Sequence, residues 1–159
     1  MGQNNFERMI RLAEDTFAVR NDPSQLDVDQ DVIERLQKMH SSTLSEHKDE
    51  NGPVVWILLI PTTNDLMNEF LQNKITEKEL FDKTPIGIPY EALYLCSAMV
   101  LPEYRRKGIA KRLTVEAIKN IGKKHRLQNL FVWPFSKEGE ILAEEIARLV
   151  SIKIFKRKN

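Results

Sequence analysis

The sequence predicts an α/β or α+β domain in which helices flank one central sheet. Three observations carry that prediction. Helical periodicities and short β-rich runs alternate along the chain. The apolar runs at residues 54–60, 92–101 and 130–133 have strand length, far short of the ~18 residues that cross a membrane. The chain has 159 residues, 42% hydrophobic and 30% charged, enough for one domain, 1–159, with its own core. Cys96 is the lone cysteine, and no signal-like apolar stretch stands near Met1, so a cytoplasmic protein without membrane attachment is expected. His40, His47 and His125 show no ligand spacing, so no metal is expected.

The elements follow in order. Phe6, Met9, Ile10, Ala13 and Phe17 recur at helical spacing and predict a helix over 6–19, broken at Asn21-Asp22-Pro23-Ser24. Val28, Val32, Ile33, Leu36 and Met39 predict a second helix over 27–39, with an acidic first turn that suits the helix dipole. Residues 40–51 read as a polar stretch ending in the turn Asn51-Gly52-Pro53. Residues 54–60 read as a strand covered on both faces, stopped by Pro61. Thr62 or Thr63 caps a helix carrying Leu66, Met67, Phe70 and Leu71. Thr76-Glu77-Lys78-Glu79 fits a capping box before Leu80 and Phe81. Pro85, Gly87 and Pro89 mark a loop. Residues 92–101 predict a central strand ending at Pro102. A helix then runs to about Ile121 with Gly122 as its C-cap, followed by a strand over 130–133, a helix over 136–150 and a short strand over 152–155.

Charge is uneven. Residues 1–100 hold 9 Lys and Arg against 17 Asp and Glu, whereas residues 101–159 hold 15 against 6. Either one side binds an anion or two solvated surfaces neutralise each other. The stretch Arg105-Arg106-Lys107-Gly108-Ile109-Ala110 favours the anion. It follows a buried strand and opens an amphipathic helix, where successive N–H groups and the positive dipole end form a phosphate cradle. Gly108 and Ala110 keep the backbone accessible. Neither a P-loop nor a dinucleotide fingerprint is present.

At these residues the sequence resembles the GNAT superfamily of acyl-CoA-dependent N-acyltransferases. The family's pyrophosphate motif, Arg/Gln-x-x-Gly-x-Gly/Ala, is matched by Arg105, Gly108 and Ala110, and Val100-Leu101-Pro102-Glu103-Tyr104-Arg105 resembles its approach from the fourth strand. The resemblance implies a mixed sheet flanked by helices and acetyl-CoA as co-substrate. The backbone of Ala98, Met99 and Val100 would pair with the pantetheine arm. The amides of Arg106, Lys107, Gly108, Ile109 and Ala110 would hold the pyrophosphate, with Arg105 opening the loop. The strand over 130–133 would diverge to make the cleft, and the two N-terminal helices and residues 62–82 would surround the acceptor. The chain departs from the pattern at Val150, where the family often has a thiolate-protonating Tyr, at Ile154 in place of Gly, and at Ser136, nearest to a frequent Asn.

Two catalytic candidates follow. Tyr94 lies on the strand that would carry the thioester and either replaces the missing acid or packs the core. Glu91, beside Ala92 at an occasional base position of the family, either takes a proton through water or is a solvated carboxylate. Cys96 shares the face of Tyr94 and either packs the core or lines the cleft, Tyr104 and Trp56 read as packing residues, and Trp133 either packs the core or borders the cleft at its strand end. The expected reaction is acetyl transfer to a primary amine of a small molecule or peptide. The alternatives are a non-catalytic acyl-CoA-binding module and a nucleic-acid binder using the basic helix from Arg105 to Lys124, against which the acidic half argues. No nucleic acid is expected as a partner, and a homodimer is left open.

Overall fold

The computed structural model describes residues 4–20 and 29–158. Five strands form one mixed sheet in the order β1-β2-β3-β4-β5: β1 (Leu44–Asp49), β2 (Gly52–Thr62), β3 (Ala92–Val100), β4 (Asn129–Val132) and β5 (Lys153–Lys156). The pairs β1–β2 and β2–β3 are antiparallel, whereas β3–β4 and β4–β5 are parallel. Parallel neighbours need a crossover, and two helices supply them: α5 (Ile109–Gly122) and α6 (Lys137–Val150). The remaining helices are α1 (Asn5–Arg20), α2 (Gln30–Met39), α3 (Asn64–Leu71) and α4 (Glu77–Lys83). Among the described residues no helix is long and apolar enough to cross a membrane.

Each face of the sheet buries its own core. Leu36, Met39, Met67, Phe70, Leu80 and Phe81, from α2, α3 and α4, pack on Leu58, Ile60, Tyr94 and Phe131. On the other face Met9 of α1, Ala117, Ile118 and Ile121 of α5, and Ile146 and Ala147 of α6 pack on Ile57, Leu59, Leu93 and Leu130. Each large apolar side chain so covered contributes about 1.5–3 kcal/mol. Double coverage explains why β2 and β3 are apolar runs rather than alternating ones.

Local chemistry sets the helix starts. Asp29 accepts from the Val32 amide, Thr63 from Leu66 and Ser136 from Gly139, and Thr76 and Glu79 complete a capping box. The predicted break after the first helix and the start of the second at Asp27 and Val28 lie outside the described residues. Three expectations need correcting. Residues 44–49, read only as part of a polar stretch, form a strand: β1 is a half-exposed edge strand, Leu-Ser-Glu-His-Lys-Asp, with no apolar stripe to announce it. Pro61 does not stop β2, which continues to Thr62. Pairing with β1 ends at Leu58, so the proline's missing N–H interrupts no ladder on that edge. Gly122 ends α5 from within, and the cap is Lys123 in right-handed conformation.

Candidate functional site

The sheet opens at one place. β3 and β4 pair only through Ala92–Asn129, Leu93–Leu130 and Tyr94–Phe131, while β3 stays paired to β2 as far as Val100. The edge of residues 95–100 that faces away from β2 therefore has no β4 partner. Pro134, which has no N–H to donate, follows β4 closely. A bulge bends β3 where β4 leaves it: Leu59 opposes Leu95 and Leu58 opposes Ser97, so Cys96 is the extra residue. Ala98 is exposed and Met99 and Val100 are half-buried along this edge. An open strand edge of this kind accepts an extended ligand as an added strand.

The edge leads directly into a basic turn. After a short 3₁₀ segment, Pro102–Tyr104, Arg106 and Gly108 adopt left-handed conformations with φ of 63° and 76°. The first α5 bond runs from the Arg112 amide to the Gly108 carbonyl, 3.0 Å, so the N–H groups of Ile109, Ala110 and Lys111 precede any intrahelical partner. A Cβ on Gly108 would meet nothing within 4 Å. What glycine supplies toward the protein is the left-handed turn rather than room.

Ties outside the turn hold it in place. Arg105 Nε donates to the Val100 carbonyl at 3.1 Å, fixing the turn to the strand end. The Tyr104 hydroxyl donates to Asp49 at 2.5 Å, and Asp49 also accepts from the Asn5 side chain and the Asn51 amide, each at 2.7 Å. The Tyr104 bond is the main reason that the Asp49 carboxyl lies below its usual pKa and the phenol above its own. Arg8 grips Glu103 with two bonds of 2.6 and 2.7 Å, which hold that carboxyl at about 2. Lys107 Nζ lies 5.6 Å from the Tyr104 ring centre, and Arg106 reaches to 3.8 Å from Glu138 with both side chains almost fully exposed. The cations of the turn thus remain in solvent, able to face an anion.

The other face of the opening is buried. Tyr94, in the last pair before the strands part, is 1% exposed and donates its hydroxyl to Glu77 at 2.6 Å. Glu77, at the start of α4, is 2% exposed, and Cys96 Sγ lies 3.8 Å from the same carboxylate oxygen. Tyr94 stacks on Phe131 at 5.0 Å, and Trp133, 8% exposed, follows β4. Glu91 is not brought to this opening. It stands before the other end of β3, near the Asn64 amide and side chain at 3.4 and 3.3 Å. Val150 packs half-buried against the α5–α6 core. Sequence reading missed Glu77, because an acidic residue in a capped first turn looks like an ordinary dipole partner. Among the described residues no cluster of His, Cys, Asp and Glu could hold a metal.

A family model described as the acetyltransferase (GNAT) family matches residues 7–138. The match takes in most of α1, the strand opening and the basic turn. The chain belongs to this family. No curated protein and no solved structure matches it. GNAT proteins are generally acyltransferases that draw on acyl-CoA, and the mixed five-stranded sheet with six helices fits that fold. For a GNAT chain, Ala98, Met99 and Val100 lie on the open edge, and Arg106, Lys107, Gly108, Ile109 and Ala110 form the turn and first helical residues. One continuous surface runs from the expected pantetheine edge to the expected pyrophosphate cradle.

Proposed function

We propose that the protein transfers an acetyl group from acetyl-CoA to a primary amine carried by a small molecule or a peptide, in the cytoplasm. The observation that carries this reading is the bulged edge of β3, left open by β4, running straight into a basic left-handed turn at a helix N-terminus. The turn and the first amides of α5 take the pyrophosphate, and residues 98–100 align the arm so that the thioester reaches the bulge. The amine nitrogen attacks the thioester carbon, the C–S bond breaks, and CoA leaves as thiolate while the nitrogen loses a proton. Alignment supplies most of the rate, and an N–H near Met99 or Val100 stabilises the oxyanion. A thiol has an ordinary pKa of about 8.5, so water suffices to protonate the leaving group near neutrality. Tyr94 is the candidate acid at the opening, and it acts only by giving up its bond to Glu77. Glu91, at the far end of β3, reaches a proton only through a chain of water.

The test is a thermal-shift series with CoA, acetyl-CoA, longer acyl-CoAs, ATP and NAD, followed by thiol release with an amine panel. Ligand at 100 times Kd adds about 2.7 kcal/mol, which for this chain length is a rise of about 5–10 °C. A rise with CoA species alone and thiol release with an amine support the reading. No rise with any CoA species overturns it. CoA binding with no thiol release from any amine selects the non-catalytic acyl-CoA module, which Val150 at the usual tyrosine position favours.

A further inference from the structure

Arg157 stands out on the aromatic side of the opening. It is 9% exposed, yet no carboxylate lies within ion-pair distance of it among the described residues. Its guanidinium lies 4.3 Å from the Phe70 ring centre and 4.6 Å from that of Trp133. Nε donates to Asn73 Oδ1 at 2.7 Å, and the backbone N–H bonds the Val132 carbonyl at 2.9 Å. Asn73 sits in left-handed conformation at φ 61° and is itself tied to the Lys158 carbonyl at 3.2 Å. Nη1 is buried and has no acceptor among the described residues. The side chain is held at both ends with a donor left over.

Such an arrangement is costly for the fold. A charge taken out of water without an opposite partner is strongly unfavourable, and contacts with aromatic rings return only part of that cost. Its position gives it a use. Phe70 and Trp133 belong to the face of the sheet opposite α5, so Arg157 lies on that face, beyond β5 and beside the last residue of β4. An acceptor meeting a thioester that enters beside α5 comes from this face. Phe70 touches the rings of Tyr94, Phe131 and Trp133 at 5.0, 5.8 and 6.1 Å, so one aromatic floor links Arg157 to the Tyr94–Glu77 pair. The floor carries the Arg157 guanidinium at one end and the Glu77 carboxyl at the other.

We propose that Arg157 binds a carboxylate of the acceptor, which makes the acceptor an amine that carries a carboxylate, an amino acid or similar zwitterion. One guanidinium with Nε already used matches one planar carboxylate, whereas a phosphate dianion asks for more cations. The naming of the acceptor rests on the acyl-transfer reading, but the carboxylate site does not.

The experiment reads the site first without CoA. In a Trp56→Phe background Trp133 is the remaining tryptophan, and its emission is followed during titration with acetate, glycine, alanine and phenylalanine, and with the carboxamides of those three amino acids. A saturable change with the carboxylates and none with the carboxamides is expected, and Arg157→Met abolishes it. Arg157→Met also melts at or above the parent, because it keeps the stem packing and removes an uncompensated charge; a purely structural arginine would lower Tm instead. Arg157→Lys, which keeps the charge and loses the planar fork, guards against a variant that fails to fold: a weakened response at parental Tm supports the site, and an unaltered response overturns it. No emission change up to about 10 mM carboxylate overturns it too. Where thiol release is seen, Arg157→Met lowers the carboxylate-to-carboxamide ratio of kcat/KM by about 10- to 100-fold, the worth of one charged hydrogen bond. If acetyl-CoA is neither bound nor consumed, the acyl-transfer reading fails while the Trp133 titration still decides the carboxylate site.

Discussion

The two sides of the strand opening are made from opposite materials. On the α5 side the groups are exposed cations and backbone N–H groups drawn from six consecutive residues, 105–110. On the aromatic side they are buried side chains drawn from α4, β3, the residue after β4 and the residue after β5: Glu77, Tyr94, Trp133 and Arg157. A local, solvated site can be altered without disturbing the core. A buried site assembled from distant residues shares its energy with the fold, so changes there act on function and stability together.

The largest effect should come from the local side and spare the fold. Gly108→Glu places a carboxylate in the proposed cradle, where several hydrogen bonds worth about 1.5–3 kcal/mol each are at stake, so CoA affinity falls at least about 100-fold. Because a Cβ there touches nothing, the stability cost is only the left-handed strain, about 1–2 kcal/mol. Calorimetric titration with CoA and a circular dichroism melt read both; unaltered affinity in the folded variant means that the cradle lies elsewhere. On the buried side the balance reverses. Tyr94→Phe removes a hydroxyl that the Glu77 carboxylate accepts, and the urea midpoint should drop by the equivalent of about 1–3 kcal/mol. A variant as stable as the parent would place Tyr94 with the dispensable groups.

A smaller effect is one of pH. His40 and His125, with ring centres 6.2 Å apart, each accept a backbone N–H on Nδ1, from Ser42 and Tyr90. Burial first, then Lys124, holds both below the ordinary 6.5, and His125 adds to the shift of His40. As pH falls through 6.5 the unfolded chain takes up protons that the folded one refuses, so stability present above 6.5 is lost on acidification until the folded pKa values are passed. Urea midpoints at about pH 7.5 and 5.5 should fall for the parent and stay level for His40→Asn/His125→Asn. The smallest effect belongs to the exposed tie beside the basic turn. Glu103 is depressed from 4.5 to about 2 by Arg8, so its contribution is full above 4.5 and vanishes as pH falls to about 2. The Tm difference between parent and Glu103→Gln should therefore be slight at neutral pH and close at the acid end. A constant difference would assign the effect to packing.

The same contrast explains what could be read in the chain. The turn at 105–110, the caps at Thr63 and Thr76 and the apolar strands are short-range patterns, and their signals stand next to each other in sequence. Tyr94 was visible as a strand residue, but its partner Glu77 lies 17 positions away. Arg157 carries no signal of its own, because nothing in the sequence says that Asn73, Phe70 and Trp133 will enclose it. Glu91 failed to reach the opening because a strand start and a strand end are far apart, at roughly 3.3 Å per residue. Edge strand β1 was hidden for the opposite reason: it buries too little to need a pattern.

The extra residue at Cys96 also sets how the gene can vary in length. Before it, Leu93 and Leu95 pack in the α5–α6 core; after it, Val100 opposite Val55 packs there, with Met99 reaching the same core, so the pairing phase shifts by one residue. Cys96 and Ser97 consequently fall on the same face, the second opposite Leu58. β3 is two rulers of opposite phase joined end to end. A one-codon deletion between 95 and 97 would remove the bulge and leave Val100 opposite Val55 on its present face, so it would cost the bend in the strand and not the core. A one-codon deletion or insertion elsewhere in the strand meets no spare residue and turns everything beyond it over, so this strand tolerates a change in residue count at the bulge alone.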